Sequence, residues 1–259
     1  VIVETTAETG LKLTPQALQE AITPRTRMVL INSPSNPSGA VYTRQELAAL
    51  GEVVLKYGLY VLGDEIYEKL IYDGAEHVSM AQISPDLKAR TIIVNGVSKT
   101  YAMTGWRIGY AAGPRDVIAL MDKAQSQTIS HPSSISQKGA VAALNGPQDM
   151  VETMRLEYDK RRRFMVERLN ALAGVHCDLP LGAFYVYPDV SSYFGRTGGG
   201  RPLADSSDIC DYLLDEARVA CVPGVAFGTS SHIRMSYATS MENLVQAMDR
   251  IAEALDKVT

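Results

Sequence analysis

One lysine and one arginine stand close together in a stretch of small and aromatic residues. The stretch reads NGVSKTYAMTGWRIGY and runs from 95 to 110, with Lys99 just after the apolar segment TIIV and Arg107 eight residues further on. Removing a lysine ammonium from water is costly unless the charge is paired or neutralised. The lysine is therefore either an ordinary solvated residue of a surface loop or a residue held for chemistry.

Other polar residues also follow apolar runs. Asn36 comes after MVLINSPS, and Asp64 and Tyr67 come after YVLG. Each has a plain interpretation when taken alone, because asparagine suits a turn, aspartate suits a helix cap and tyrosine packs in cores. Ligands of open α/β sheets gather at the carboxyl ends of the strands, so these positions together indicate one site.

The side-chain types of this set suit a single ligand. A buried aspartate needs a cation beside it, and a protonated pyridine nitrogen is such a cation. A lysine shielded from water loses its proton more readily, and its free amine can then form a Schiff base with an aldehyde. Tyrosine and asparagine can hydrogen-bond a phenolate oxygen, and arginine binds phosphate bidentately. Pyridoxal phosphate carries all of these groups, so we predict it as the cofactor.

The elements that must position these residues alternate between strands and helices, as in an α/β fold with a largely parallel sheet. Helix starts are marked by Thr14 before Pro15 and by the capping box TRQE from Thr43 to Glu46. The predicted strands are MVLINS (28–33), YVLGDE (60–65), TIIVNG (91–96) and IGYAAG (108–113).

The pattern changes after residue 147 to a long amphipathic helix followed by shorter segments. We therefore predict residues 1–150 as part of a large cofactor-binding domain and residues 151–259 as a smaller α+β domain, joined by the long helix. The run KRRR at 160–163 is predicted as a solvated helix face, and the glycines of GRTGGGRP as a surface loop rather than a phosphate cradle. The closing helix repeats apolar residues at Leu244, Met248, Ile251 and Leu255.

Composition excludes several classes of protein. The 259 residues are 46% hydrophobic with a net charge of −4, which supports a sizeable core but gives no electrostatic footprint for nucleic acid. The sequence has no apolar run of membrane-spanning length and no signal peptide, so we predict a cytoplasmic protein. The three cysteines lack CxxC spacing and the histidines lack ligand spacing, so we predict buried free thiols and no metal site.

Six motifs in this order carry a resemblance to a known family: NSPSNPSGA, GDEIY, NGVSKTYAMTGWRIGYAAGP, LPLGAFYVYPD, VPGVAFG and IRMSYATS. The chain resembles the C-terminal two-thirds of a fold type I pyridoxal-phosphate-dependent aminotransferase of classes I and II, in the aspartate aminotransferase group. The resemblance implies a partial large domain and a small C-terminal domain.

The resemblance also implies a role for each site residue. Lys99 is the Schiff-base lysine and the catalytic residue, and Asp64 pairs with the pyridine nitrogen. Tyr67 and Asn36 bind the ring oxygen, Arg107 binds the phosphate, Arg234 holds the substrate α-carboxylate, and Gly39 lies where the substrate approaches the backbone.

The implied activity moves an amino group between an L-amino acid, with aspartate or glutamate as the best candidates, and a 2-oxo acid. The cofactor residues do not dictate which bond of the substrate breaks, so a β-lyase or a decarboxylase stays open. A regulatory module that keeps this fold to sense the cofactor is the alternative from another class. Its sign, a basic helix-turn-helix segment, is absent from these residues.

A homodimer with an active site shared across the interface is implied as well. The segment SQTISHPSSIS (126–136) resembles the one that crosses that interface, and it reads equally well as a loop between helices. The family's remaining phosphate-binding residues and its ring-stacking aromatic lie upstream of Val1, so we expect weak cofactor binding if residues 1–259 are the whole polypeptide.

Overall fold

The structure is a computed structural model that describes residues 1–259. The chain forms two compact units. The first consists of residues 1, 3–35 and 40–155, and the second of residues 2, 36–39 and 156–259. We predict that the first is the cofactor-binding part and the second the smaller domain.

A four-stranded sheet forms the centre of the first unit, in the order β1-β2-β3-β4. The first three strands are parallel and β4 is antiparallel to β3, so the predicted α/β class with a largely parallel sheet is confirmed. The strands are β1 (Met28–Asn32), β2 (Tyr60–Asp64), β3 (Thr91–Gly96) and β4 (Gly109–Ala112).

The helices of the first unit begin where the sequence marks them. Thr14 caps α1 by accepting the N–H of Ala17, and Thr43 with Glu46 forms the predicted capping box of α2. Apolar residues of α2 pack with β1 and β2 in one core. The helices are α1 (Pro15–Ala21), α2 (Arg44–Lys56), α3 (Pro85–Lys88), α4 (Arg115–Thr128) and α5 (Ser134–Asn145).

The long helix α6 (Asp149–Asn170) contains the division between the units. The second unit packs the last turns of this helix, a further helix α7 and the closing helix α8 around one apolar core. Its elements are β5 (Tyr185–Val186), β6 (Thr197–Gly198), β7 (Arg201–Pro202), α7 (Ser206–Tyr212), β8 (Val222–Pro223), β9 (Ile233–Ser236) and α8 (Met241–Leu255).

The basic run of α6 is not the uniformly solvated face that its sequence suggests. Arg162 is fully buried, and its guanidinium donates to Asp159 at 2.5 Å and to the carbonyl of Pro180 at 2.7 Å. Lys160 and Arg163 are exposed as expected. The prediction was wrong for Arg162 because a segment eighteen residues away in sequence covers that side of the helix.

The glycine-rich stretch forms a two-stranded hairpin. Gly199 and Gly200 both have positive φ, 57° and 75°, and they join β6 to β7. Two such residues form the turn that suits the twist of a tight hairpin.

Across the whole structure, no helix combines the length and the apolar character needed to cross a membrane.

Candidate active site

Asp64 lies at the carboxyl end of β2 in the first unit. The strand register places it beside Asn32 of β1 and Val94 of β3. The backbone N–H of Ile66 donates to Asp64 Oδ1 at 3.2 Å, which fixes the carboxylate in a turn. No protein donor bonds the second oxygen, so that oxygen can accept a hydrogen bond from a ligand.

Lys99 follows β3 and is partly buried rather than sequestered. Its Nζ lies 5.9 Å from the centre of the Tyr67 ring, and Tyr67 is only 3% exposed. A cation over an aromatic face is attracted by the ring quadrupole. The structure therefore brings together the lysine and tyrosine that the sequence assigned to one ligand.

Arg107 has a left-handed backbone, with φ 52° and ψ 53°. This conformation is uncommon for a residue other than glycine, and it redirects the chain just before β4. The exposed guanidinium donates through Nη1 to the carbonyl of Thr104 at 2.9 Å, within its own turn. The Arg107 guanidinium thus forms no hydrogen bond or ion pair with the other predicted cofactor residues.

Gly96 ends β3 with little space around it. A Cβ there would lie 3.0 Å from the carbonyl oxygen of Ile108 and 3.1 Å from the Cα of Gly109. The close pairing with β4 therefore accounts for glycine at this position, where a larger side chain would push the strands apart.

The second unit contains the other three predicted residues. Arg234 lies in β9 and donates through Nη1 to Asn36 Oδ1 at 3.0 Å, although 198 residues separate them. This bond orients the guanidinium, and its remaining N–H groups donate to no protein acceptor. Such groups can bind a carboxylate.

Gly39 has φ +68°, and the loop at Pro180–Gly182 crosses directly over it. A Cβ on Gly39 would lie 2.4 Å from Pro180 Cβ and 2.6 Å from the carbonyl oxygen of Gly182. The N–H of Gly182 donates to the Gly39 carbonyl at 2.8 Å. The chain's own loop thus requires glycine here, and the predicted approach of a substrate stays a prediction.

Comparison of this sequence with the profiles of known protein families identifies a family that matches it. The profile of aminotransferase class I and II matches residues 1–251. The chain belongs to this family.

Curated relatives of this aminotransferase-family chain are similar over nearly all of its length. It is 49% identical to the aspartate aminotransferase of Rhizobium meliloti (strain 1021), covering 100% of this chain and 64% of that protein. It is 48% identical to the aspartate/prephenate aminotransferase of Nitrosomonas europaea, covering 98% of this chain and 65% of the relative. The chain thus spans slightly less than two-thirds of the length of these relatives.

A solved structure gives the same result for the fold. The crystal structure of the aspartate aminotransferase from Rhizobium meliloti superposes with a TM-score of 0.97 at 49% identity. The match covers 100% of this chain and 65% of that one. The predicted resemblance to the aspartate aminotransferase group is therefore confirmed for the residues present.

Sequence reasoning missed a pair next to Asp64. His77 Nε2 and Glu65 Oε2 lie 3.0 Å apart, and Glu65 is buried. With Glu68, their ligand atoms lie within 4.8 Å of one another, a distance compatible with a metal ion. The histidine and Glu65 are already bonded to each other, however. In the sequence, the one sign of this pair is that Glu65 directly follows the predicted site residue Asp64.

The thiols take no part in this chemistry. Cys177 and Cys210 are buried as predicted and Cys221 is half-buried. Burial raises the pKa of each of the three thiols to about 12. They therefore stay protonated near neutral pH and are poor nucleophiles.

Proposed function

We propose that this protein is a pyridoxal-phosphate-dependent aminotransferase that exchanges an amino group between an L-amino acid and a 2-oxo acid. Aspartate and glutamate are the preferred amino acids in this proposal, because the similar proteins are named aspartate or aspartate/prephenate aminotransferases. The observation that carries it is the position of Asp64 at the end of β2 and of Lys99 three residues after the end of the adjacent strand β3, in a chain of this family.

The residues of the first unit fit the cofactor. One carboxylate oxygen of Asp64 accepts a hydrogen bond from the backbone N–H of Ile66, and the other would accept one from the ring N–H of the cofactor. Lys99 lies over the buried ring of Tyr67, whose hydroxyl would bond the ring oxygen of the cofactor. Arg107 brings a guanidinium that suits a phosphate. By the family resemblance, Asn36 is proposed as a further hydrogen-bond partner of the ring oxygen.

When bound, pyridoxal phosphate supplies an aldehyde that condenses with amines and a ring that withdraws electrons from the substrate α-carbon. The chain's own residues then have simple tasks. Lys99 would act as the general base, because its uncharged amine would take the proton from the substrate α-carbon and hold it as an ammonium. Asp64 keeps the ring nitrogen protonated by accepting its hydrogen bond.

Arg234 binds the substrate. Its guanidinium, oriented by Asn36 at 3.0 Å, presents two parallel N–H donors to the α-carboxylate. Holding this group would orient the substrate, and orientation of this kind contributes much of an enzyme's rate. The partners in this proposal are the amino acid, the 2-oxo acid and a second copy of the chain.

The test compares Lys99→Ala with Lys88→Ala in the full-length protein. Lys88 is an exposed lysine of α3 in the same unit. We expect Lys99→Ala to lose turnover and the visible absorption band of the bound cofactor, and Lys88→Ala to keep both. An undiminished band in Lys99→Ala would contradict the assignment of the lysine.

The reaction itself is tested by its products. Wild-type protein with aspartate should consume a 2-oxo acid in equal amount and show ping-pong kinetics. Release of ammonia with pyruvate, or of carbon dioxide, without a need for the 2-oxo acid would identify a lyase or a decarboxylase instead.

A further inference from the structure

The guanidinium of Arg234 lies against two aromatic rings. Its Cζ is 4.6 Å from the centre of the Tyr185 ring and 5.1 Å from that of Phe227. Cations at this distance from an aromatic face are held by the ring quadrupole, and more strongly where water is excluded. Tyr185 is 6% exposed, whereas Phe227 and Arg234 are half-buried, so the contact with Tyr185 is the better shielded from water.

Strand pairing fixes the first ring. Tyr185 belongs to β5 and lies opposite Ser236 of β9, the strand that carries Arg234. Its ring also packs against Phe184, with ring centres 4.7 Å apart. The position of this ring relative to the arginine is thus set by the sheet.

A tight turn fixes the second ring. Gly224 donates its N–H to the carbonyl of His232 at 2.8 Å, and a Cβ on it would lie 2.4 Å from that oxygen. The turn returns Phe227 to Arg234, where the ring meets Tyr187 edge-on at 6.2 Å.

Tyr187 is itself held on two sides. Its hydroxyl lies 2.5 Å from Thr229 Oγ1, and its ring stacks on His232 at 4.7 Å. The ring of Phe227 therefore packs against Tyr187, an aromatic side chain whose own position is fixed by Thr229 and His232.

We propose that Phe227 and Tyr185 are positioning residues that pre-orient Arg234 for the carboxylate of the substrate. This inference rests on the proposed function of Arg234. An arginine has many rotamers, and ordering it during binding lowers affinity. Two ring contacts and the bond to Asn36 order the side chain before the substrate arrives, so the rings set the affinity for carboxylates without touching the reacting atoms.

The test replaces the ring while keeping apolar volume. In Phe227→Leu we expect the KM for aspartate to rise about tenfold, which lies between the values for an exposed and a desolvated cation–π contact. The dissociation constant of the unreactive dicarboxylate succinate, measured by calorimetry, should rise by the same factor. The value of kcat should change less than about threefold, because a contact used equally in ground and transition states affects KM.

Two further variants separate positioning from structure. Phe227→Tyr keeps a ring and should restore both constants to within about twofold of wild type. The matched control is Phe164→Leu, which removes a ring lying 5.7 Å from the Cζ of Arg168, another arginine of the same unit. It should leave the KM and the succinate affinity unchanged.

The outcomes distinguish this inference from the proposed function. A Phe227→Leu variant with the wild-type KM for aspartate and the wild-type dissociation constant of succinate would overturn the positioning role. An equal loss of affinity for cofactor and succinate would also overturn it, because such a loss indicates general disorder of the variant. Unchanged succinate affinity in Arg234→Gln would instead overturn the assignment of Arg234 itself.

Discussion

We predict that substrate recognition by Arg234 depends on the shape of its guanidinium and not only on its charge. In Arg234→Lys we expect kcat/KM for aspartate to fall about 100-fold, since lysine offers a point charge in place of a planar fork. Steady-state kinetics measure this. Arg196→Lys is the control, because Arg196 also lies over a tyrosine ring, at 5.2 Å, but is exposed. Equal activity of Arg234→Lys and wild type would contradict the carboxylate role.

His232 makes stability depend on pH. Burial lowers the pKa of His232 below its ordinary value of 6.5, although the nearby Asp189 and Asp178 oppose the shift. The unfolded chain therefore takes up this proton at a higher pH than the folded chain does. Stability from the neutral histidine is present above about pH 6.5 and is lost as the pH falls through the lower folded value.

We expect His232→Gln to show a shallower decrease in the free energy of unfolding between pH 7 and pH 5 than wild type. The difference in slope is at most about 1.4 kcal/mol per pH unit, the value for one proton. Urea denaturation at several pH values measures it. Identical slopes would show that another group is responsible for acid sensitivity.

At the scale of elements, the loop over Gly39 requires a residue without a side chain. Gly39→Ala should lower the free energy of unfolding by about 3 kcal/mol, from left-handed strain and from overpacking against Pro180. Gly58→Ala is the matched control, because Gly58 has φ +64° but a Cβ added there would meet nothing within 4 Å. It should cost only about 1 kcal/mol. Similar losses in urea denaturation would contradict the close approach.

The buried arginine of α6 connects that helix to the same loop. Arg162→Met should destabilise by about 3 to 5 kcal/mol, because it leaves the Pro180 carbonyl without its donor and removes the nearer of two arginines that contact Asp159, the other being Arg163. Arg163→Met, one residue along and exposed, should cost less than about 1 kcal/mol. Thermal and urea denaturation provide the comparison, and equal losses would mean that burial is not the cause.

Short sequence patterns predicted the helix starts and the strands, because capping and apolar runs act between residues that are close in the chain. Capping residues at Thr14 and Thr43 marked helix starts, and apolar runs marked all four strands of the sheet. Arg162 escaped prediction because its burial depends on Pro180, which no periodicity of α6 reveals. The same holds for the contact of Phe227 with Arg234 and for the pair of His77 and Glu65, since each depends on the folded backbone.

At the scale of the whole molecule, apolar side chains near the segment 126–136 suggest where a second copy binds. Ile129 and Ile135 are 72% and 74% exposed, and α4 has no buried residue. Ile129 lies in the connection between α4 and α5, while Ile135 is the second residue of α5. Exposed apolar surface of this kind often marks an interface, so we predict a homodimer that uses this surface.

The double variant Ile129→Glu with Ile135→Glu should weaken the dimer by about 100-fold, because it places charges in an apolar contact. Sedimentation velocity across a range of concentrations measures this. Leu214→Glu, which alters an exposed leucine of the second unit, should leave association unchanged. A double variant that still sediments as wild type would place the interface elsewhere.

The most direct test of the central claim is chemical trapping of the cofactor on Lys99. The full-length protein is incubated with pyridoxal phosphate, reduced with borohydride, digested and analysed by mass spectrometry. We predict one reduced pyridoxyl phosphate group per chain, on the peptide that contains Lys99. Label absent from Lys99, or spread equally over exposed lysines such as Lys88 and Lys123, would contradict the account.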